Sequence, residues 1–156
     1  MLNGELKELK SFLADKSLVM CFGSRDNNLQ PSVGRAFGVQ ITSEDEISFY
    51  VPVQMLTKHL VNFENNGQIA LTVCKTNNYV TYQFKGEFVE QHSCKDEELA
   101  VINKTIAFYR ELIIMMGGNE VGTQVDKLQL IPALAITFKV EEIFNQTPGP
   151  KAGKKI

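Results

Sequence analysis

Five strand-like segments follow one another between residues 17 and 89, and they constrain the fold more than any other feature. Each either alternates between apolar and other side chains or is a short, mostly apolar run; they are residues 17–22, 32–41, 47–53, 68–74 and 79–89. Alternation with a period of two is typical of β-strands. The breaks after the first, second and fourth segments are short and rich in turn-forming residues, which favours antiparallel hairpins. The pattern therefore predicts an antiparallel sheet.

Three other segments carry apolar side chains at the helical spacing of three and four residues. They are residues 2–15, 56–66 and 96–116. Glycine follows the last two, which is typical of helix ends. Residues 119–127 are polar and indicate a loop, and residues 128–144 predict a final long strand, bent near Pro132.

A single mainly β domain is predicted for residues 1–156. A chain of 156 residues can bury a sizeable core without disulfide bonds. An N-terminal helix within residues 1–16 precedes the barrel of residues 17–144, and a proline-containing tail covers residues 145–156. Closing an antiparallel sheet into a barrel removes its exposed edge strands. We therefore expect a six-stranded antiparallel β-barrel, closed or nearly closed, with helices at its ends.

Composition limits the partners and the compartment. The net charge of −2 and pI of about 5.7 give no basic field for nucleic acid or an anionic membrane. The three cysteines are far apart and form no C-x-x-C pair, so neither a zinc site nor a disulfide framework is expected. The N-terminus is acidic where a signal peptide would be basic, and no apolar run reaches membrane-spanning length. These features predict a cytoplasmic protein without a metal.

The helix of residues 56–66 begins with Thr57, Lys58 and His59. Unpaired backbone N–H groups and the positive end of the helix dipole favour an anion at such a place. Leu56, Leu60 and Phe63 would face the core and leave the three polar residues at the open end, where a phosphate could bind. The alternative is an ordinary helix end with a solvated lysine.

The strand of residues 32–41 has two unlike faces. One face carries Arg35 in an otherwise apolar row, and the other carries mainly small residues. Small residues allow a flat aromatic ligand to approach the backbone. The alternative is a strand covered by a helix or by a second subunit. A buried Arg35 would need an anionic partner, which a phosphate shared with the turn at Thr57 and Lys58 would supply.

In their order, these motifs resemble the pyridoxamine 5'-phosphate oxidase-like, FMN-binding split-barrel family. The resemblance rests on Gln30-Pro31-Ser32, the strand with Arg35, Phe49-Tyr50-Val51-Pro52, and Thr57-Lys58-His59-x-x-Asn62-Phe63-x-x-Asn66-Gly67. It is strongest over residues 17–90.

The resemblance implies that FMN is the cofactor. Arg35 and Lys58 would bind its phosphate, with Thr57 as a hydroxyl donor. The backbone of Ala36, Phe37 and Gly38 and the edge formed by Tyr50, Val51 and Pro52 would border the isoalloxazine ring. The resemblance also implies a homodimer with the flavin between subunits and a small-molecule redox substrate.

The sequence departs from the family pattern at three places. His59 stands at the lysine position of the phosphate turn, so binding there would depend on imidazole protonation. Thr81 stands where the oxidases place a glutamine, and their C-terminal arginine- and tryptophan-containing segment has no match. FMN is therefore predicted as the cofactor with more support than pyridoxamine 5'-phosphate is predicted as the substrate.

No catalytic residue is assigned, because His59 and His92 have no nucleophile or acid placed near them by the sequence. Two alternatives to a flavin-dependent oxidoreductase remain. One is a flavin-free binding or sensing module, and the other is a haem-binding split barrel that uses His59 or His92 as ligand.

Overall fold

The computed structural model describes residues 4–156 and consists of one antiparallel sheet with helices packed against it. The helices are α1 (Glu5–Glu8), α2 (Lys10–Leu13), a 3-10 turn (Val53–Met55), α3 (Thr57–Asn66), α4 (Asp96–Gly117) and α5 (Asn119–Val125). The strands are β1 (Leu18–Arg25), β2 (Pro31–Ala36), β3 (Val39–Ile41), β4 (Glu46–Pro52), β5 (Gln68–Lys75), β6 (Thr81–Ser93), β7 (Ala133–Asn145) and β8 (Lys154–Lys155).

The sheet has the strand order β2-β1-β5-β6-β7-β4-β3, and β8 pairs with β7. Every pairing is antiparallel, as the sequence predicts. The sheet is not closed, because β2 and β3 lie at its two edges and do not pair with each other. The predicted mainly β antiparallel sheet with flanking helices is confirmed, while the sheet is open rather than closed and has eight strands rather than six.

The single strand predicted for residues 32–41 is divided at Phe37 and Gly38. Phe37 N–H donates to the Tyr50 carbonyl at 2.8 Å, and Tyr50 N–H donates to the Gly38 carbonyl at 3.0 Å. Two residues therefore face one residue of β4, and the chain bends there. Before the bend, β2 pairs with β1, and after it, β3 pairs with β4. One continuous segment therefore connects the two edge strands of the sheet.

Two apolar clusters hold the sheet. The larger lies inside the curved sheet and contains most of its phenylalanines, among them Phe22, Phe49, Phe84 and Phe138. The smaller lies on the opposite side beneath α4, around Phe37, Tyr50 and Tyr109. The α4 helix therefore covers the bend between β2 and β3.

The helices differ from the sequence-based prediction at two places. The N-terminal helix is two short helices, α1 and α2, which meet at Leu9; its predicted start at residue 2 lies outside the described residues. Residues 119–127, predicted as a loop, contain α5, whose Gly122 packs against Ile114 of α4. The predictions of α3 and α4 are confirmed to within one residue.

The strands also run differently from their predicted bounds. The β1 and β6 strands extend to Arg25 and Ser93, and β7 begins at Ala133, directly after Pro132. The tail turns back, so that β8 pairs with the end of β7. None of the helices within residues 4–156 combines the length and apolar character needed to cross a membrane.

Candidate functional site

The first turn of α3 presents Thr57 and Lys58 to solvent. Leu56 precedes the helix in a helical conformation, and no side chain caps the first backbone N–H groups. The helix ends as predicted at Gly67, whose φ of +69° is the left-handed conformation that glycine adopts without strain. The uncapped turn therefore has backbone donors, a hydroxyl and an ammonium on one exposed surface.

His59 does not join them, which corrects the expectation that it lies at the open end. Its side chain is buried, with a relative exposure of 5%, and its ring packs 4.5 Å from the Phe22 ring centroid. The Ser24 hydroxyl lies 2.7 Å from Nδ1, and the Asn62 amide donates to that hydroxyl at 2.8 Å. The backbone of Val33 bonds the other side of the ring. Both ring nitrogens are thus engaged inside the fold.

The surroundings of His59 keep its imidazole neutral. Burial lowers its pKa from 6.5, and the neighbouring Lys58 charge lowers it further; the hydrogen bond to Val33 acts weakly in the opposite direction. A neutral ring with its proton on Nε2 satisfies the whole network: Nε2–H donates to the Val33 carbonyl, and Nδ1 accepts from Ser24. The network is a structural element of the core.

The small-residue face of β2 is filled by the protein itself, contrary to the expected ligand surface. A Cβ atom built on Gly34 would lie 2.5 Å from the Phe22 ring and 3.2 Å from His59 Nε2. The small residues therefore make room for two interior rings. The Phe22 and His59 rings therefore occupy the space beside Gly34.

Arg35 lies on the other, outward face of β2 and is exposed. Its guanidinium carbon stands 5.4 Å from the centroid of the Tyr109 ring of α4, a cation–π distance. Within residues 4–156 no carboxylate forms an ion pair with it. Its charge therefore needs no buried partner and is available to a bound anion.

The predicted border of the isoalloxazine ring is assembled but covered. Its residues are Ala36, Phe37, Gly38, Tyr50, Val51 and Pro52, and all are buried. The main chain joins Phe37 and Gly38 to Tyr50 as described above. On the outer side, a Cβ atom at Gly38 would lie 2.8 Å from Val101 of α4.

A second polar cluster, which sequence reasoning missed, lies under the start of α4. His92 Nε2 is 3.0 Å from Glu98, whose carboxylate also accepts the Lys95 backbone N–H. Burial and the Glu98 charge raise the pKa of the Cys94 thiol to about 12 and also raise the pKa of Tyr50. His92 belongs to β6 and, through Glu98, anchors α4 to the sheet. In the sequence, the one sign of this cluster is that Glu98 follows Lys95 by three residues, which is the spacing between the N-cap residue and a glutamate in the first turn of a helix.

Within residues 4–156 no group of three or more histidine, cysteine, aspartate or glutamate side chains could hold a metal ion. The three cysteines are free thiols.

No protein-family model matches this chain, and no curated protein matches it in sequence. Solved structures do share its fold. Group A Streptococcus HupZ has a TM-score of 0.53 at 18% identity, covering 98% of this chain and 100% of that one. An FMN-binding protein of Syntrophomonas wolfei has a TM-score of 0.51 at 11% identity, covering 90% of each chain.

A Clostridium acetobutylicum protein related to general stress protein 26, of the pyridoxinephosphate oxidase family, has a TM-score of 0.53 at 12% identity. The alignment covers 99% of this chain and 94% of that one. At such low identities the likeness concerns the fold. The fold resemblance inferred from the sequence motifs is thereby confirmed: the chain has the split-barrel fold found in pyridoxamine 5'-phosphate oxidase-like proteins.

Proposed function

We propose that this protein binds FMN through its phosphate and acts as a flavin-dependent oxidoreductase on a small-molecule substrate. The observation that carries the proposal is that Arg35, Thr57 and Lys58 are all exposed. Within residues 4–156 none of their side chains forms an ion pair, and the Arg35 guanidinium lies over the Tyr109 ring. Two cations without ion-pair partners, together with the hydroxyl at the uncapped start of α3, would fit a phosphate dianion.

Each residue would have a distinct part in holding the cofactor. The planar Arg35 guanidinium can donate two parallel hydrogen bonds to phosphate oxygens, while Lys58 supplies a compact charge and Thr57 a hydroxyl donor. His59 takes no part, since its nitrogens are used in the core. FMN would supply hydride or electron transfer, and the protein would supply binding and orientation.

We propose further that the protein is a homodimer. The exposed end of α4 carries Met115 and Met116, which are 76% and 79% exposed, and Val121 of α5 lies near this end. Neighbouring exposed apolar side chains of this kind often mark an interface. A second subunit covering this end would bury them.

A flavin-free binding module is the second candidate, and one observation favours it. The α4 helix already packs on the expected ring border around Phe37, Gly38 and Tyr50. The haem alternative has less support. His59 is enclosed in the core, and His92 is paired with Glu98.

The phosphate ligands can be tested by replacing their charges. Arg35→Gln and Lys58→Gln should each weaken FMN binding at least tenfold, because a charge-assisted hydrogen bond contributes about 1.5–3 kcal/mol. Calorimetric titration with FMN measures this loss. Lys58→Gln should unfold thermally like the wild type because its side chain is exposed, and Arg35→Gln should lose at most about 1 kcal/mol with its contact to the Tyr109 ring.

Lys154→Gln is the matched control, since Lys154 is also exposed and pairs with Asn145, at the end of β7 opposite Ala133, which pairs with Pro52 before α3. It should bind FMN as the wild type does. If Arg35→Gln and Lys58→Gln also bind FMN with unchanged affinity, the phosphate site lies elsewhere.

A further inference from the structure

A groove of about 440 Å³ opens where the sheet is split. Its walls are the α2 end, the start of β1, strand β3 and the middle of α4. The groove exists because β2 stops pairing with β1 at Met20 and the chain then departs toward β4. Its volume is within the range of small-molecule sites.

The floor of the groove is the edge strand β3, whose outer main-chain groups form no backbone hydrogen bond within residues 4–156. Tyr50 N–H donates to the Gly38 carbonyl, and Thr42 N–H donates to the Glu46 carbonyl. Only every second residue along β3 therefore hydrogen-bonds to β4. In an antiparallel ladder this alternation turns the peptide groups of Val39 and Ile41 away from β4. Both residues line the groove, so their N–H and C=O groups face it.

The walls combine apolar surface with positive charge. The apolar lining comes from Leu13, Leu18, Met20 and Val101. Three lysines line the opening: Lys10 of α2, Lys16 in the turn that follows α2, and Lys104 of α4.

The one carboxylate in the lining does not cancel this charge. Asp15 pairs with Lys75 at 2.9 Å, and hydrogen bonds from Ser17 together with Lys75 lower its pKa to about 2. The groove is therefore locally positive in a chain whose net charge is −2. Positive charge focused at a concave surface attracts anions.

We propose that this groove binds a small organic anion with a flat apolar body. The body would lie between Met20 and Val101, a polar edge would meet the Val39 and Ile41 peptide groups, and the anionic group would lie among the lysines. Neither Arg35 nor Lys58 lines this groove, which shares only Gly38 with the predicted border of the flavin ring.

Three naphthalene compounds with one ring system test this proposal. They are 2-naphthoate, 2-naphthyl phosphate and the neutral 2-naphthalenemethanol, titrated into the full chain by calorimetry. Both anions should bind at least tenfold more tightly than the alcohol. Amide NMR signals of Val39, Ile41 and Thr105 should shift on binding, whereas those of Met115 and Met116 should not. The stronger of the two anions identifies the preferred headgroup, carboxylate or phosphate.

The double variant Lys10→Gln/Lys104→Gln should lose at least tenfold in affinity for both anions and keep its affinity for the alcohol. Lys7→Gln is the matched control, because Lys7 is exposed on α1 outside the groove, and it should bind like the wild type. The proposal is overturned if the double variant binds the anions as the wild type does. It is also overturned if Arg35→Gln, rather than the lysine changes, abolishes binding.

Discussion

Lys58 and His59 are neighbours in the sequence, yet one is exposed and the other lies in the core. Each residue of a helix is rotated about 100° from the preceding one, so adjacent side chains face different surroundings. His59 follows Leu56 by three residues and precedes Phe63 by four, which places it on their buried face. The spacing in the sequence was therefore sufficient to predict the position of His59, and grouping it with Thr57 and Lys58 by polarity was wrong.

Burial of neutral His59 should make stability depend on pH. Its pKa is lower in the folded protein than its ordinary value of 6.5, so below about pH 6.5 the unfolded chain binds more protons. Stability is therefore fully present above that pH and is lost as the pH falls toward the folded-state pKa. In that window His59 contributes a slope of up to about 1.4 kcal/mol per pH unit. Urea unfolding at pH 7.5, 6.5 and 5.5 measures it.

The variant His59→Gln isolates this contribution because it cannot take up a proton. It should be less stable than the wild type at pH 7.5, since it disturbs the bonds to Ser24 and Val33, and the difference should shrink at pH 5.5. Parallel stability curves for the two proteins would show that His59 is not a buried neutral base.

At the scale of elements, the sequence predicted the types of strands and helices better than their interruptions. Alternation identified the strands, and helical spacing with a following glycine identified α3 and α4. The break at Phe37 was missed because alternation continues through it, and only the backbone bonds to Tyr50 reveal the bend. The α5 helix was missed because it is short and polar and becomes stable by packing on α4.

Close packing between β6 and β7 should make Gly86 intolerant of any side chain. A Cβ atom there would lie 1.8 Å from the Lys139 carbonyl oxygen, at an irregularity in the strand pairing. Gly86→Ala should cost about 3 kcal/mol, because backbone must move. Gly23→Ala is the control, with no atom nearer than 3.8 Å, and should change stability by less than about 1 kcal/mol. Denaturant unfolding compares the two, and equal losses would contradict the packing argument.

At the scale of the whole molecule, the split sheet leaves one groove at its opening and an apolar helix end at its surface. The groove could not be predicted from the sequence, since it depends on where distant segments meet, whereas the helical spacing of apolar residues up to Met116 already indicated an apolar surface on α4. The groove requires β1, β3, α2 and α4 together, and the sequence predicted the strand Ser32–Ile41 without its change of partner.

Assembly through the α4 end should be sensitive to charge. The protein should sediment at twice the chain mass of 17.5 kDa, and Met115→Lys/Met116→Lys should shift it to the monomer. The cause is the cost of burying ammonium groups in an apolar interface. Both methionines are exposed in the single chain, so thermal unfolding of the monomeric variant should remain cooperative. A wild type that sediments at 17.5 kDa at micromolar concentration would contradict the proposed dimer.

The central claim is that Arg35, Thr57 and Lys58 hold the phosphate of a flavin nucleotide. Calorimetric titration of the wild-type protein with FMN and with riboflavin tests it most directly, because the two ligands share the ring and ribityl chain and differ only in the phosphate. We predict that FMN binds at least tenfold more tightly than riboflavin, since losing the phosphate removes at least one charge-assisted hydrogen bond. Equal affinities, or no binding of either flavin, would contradict the account.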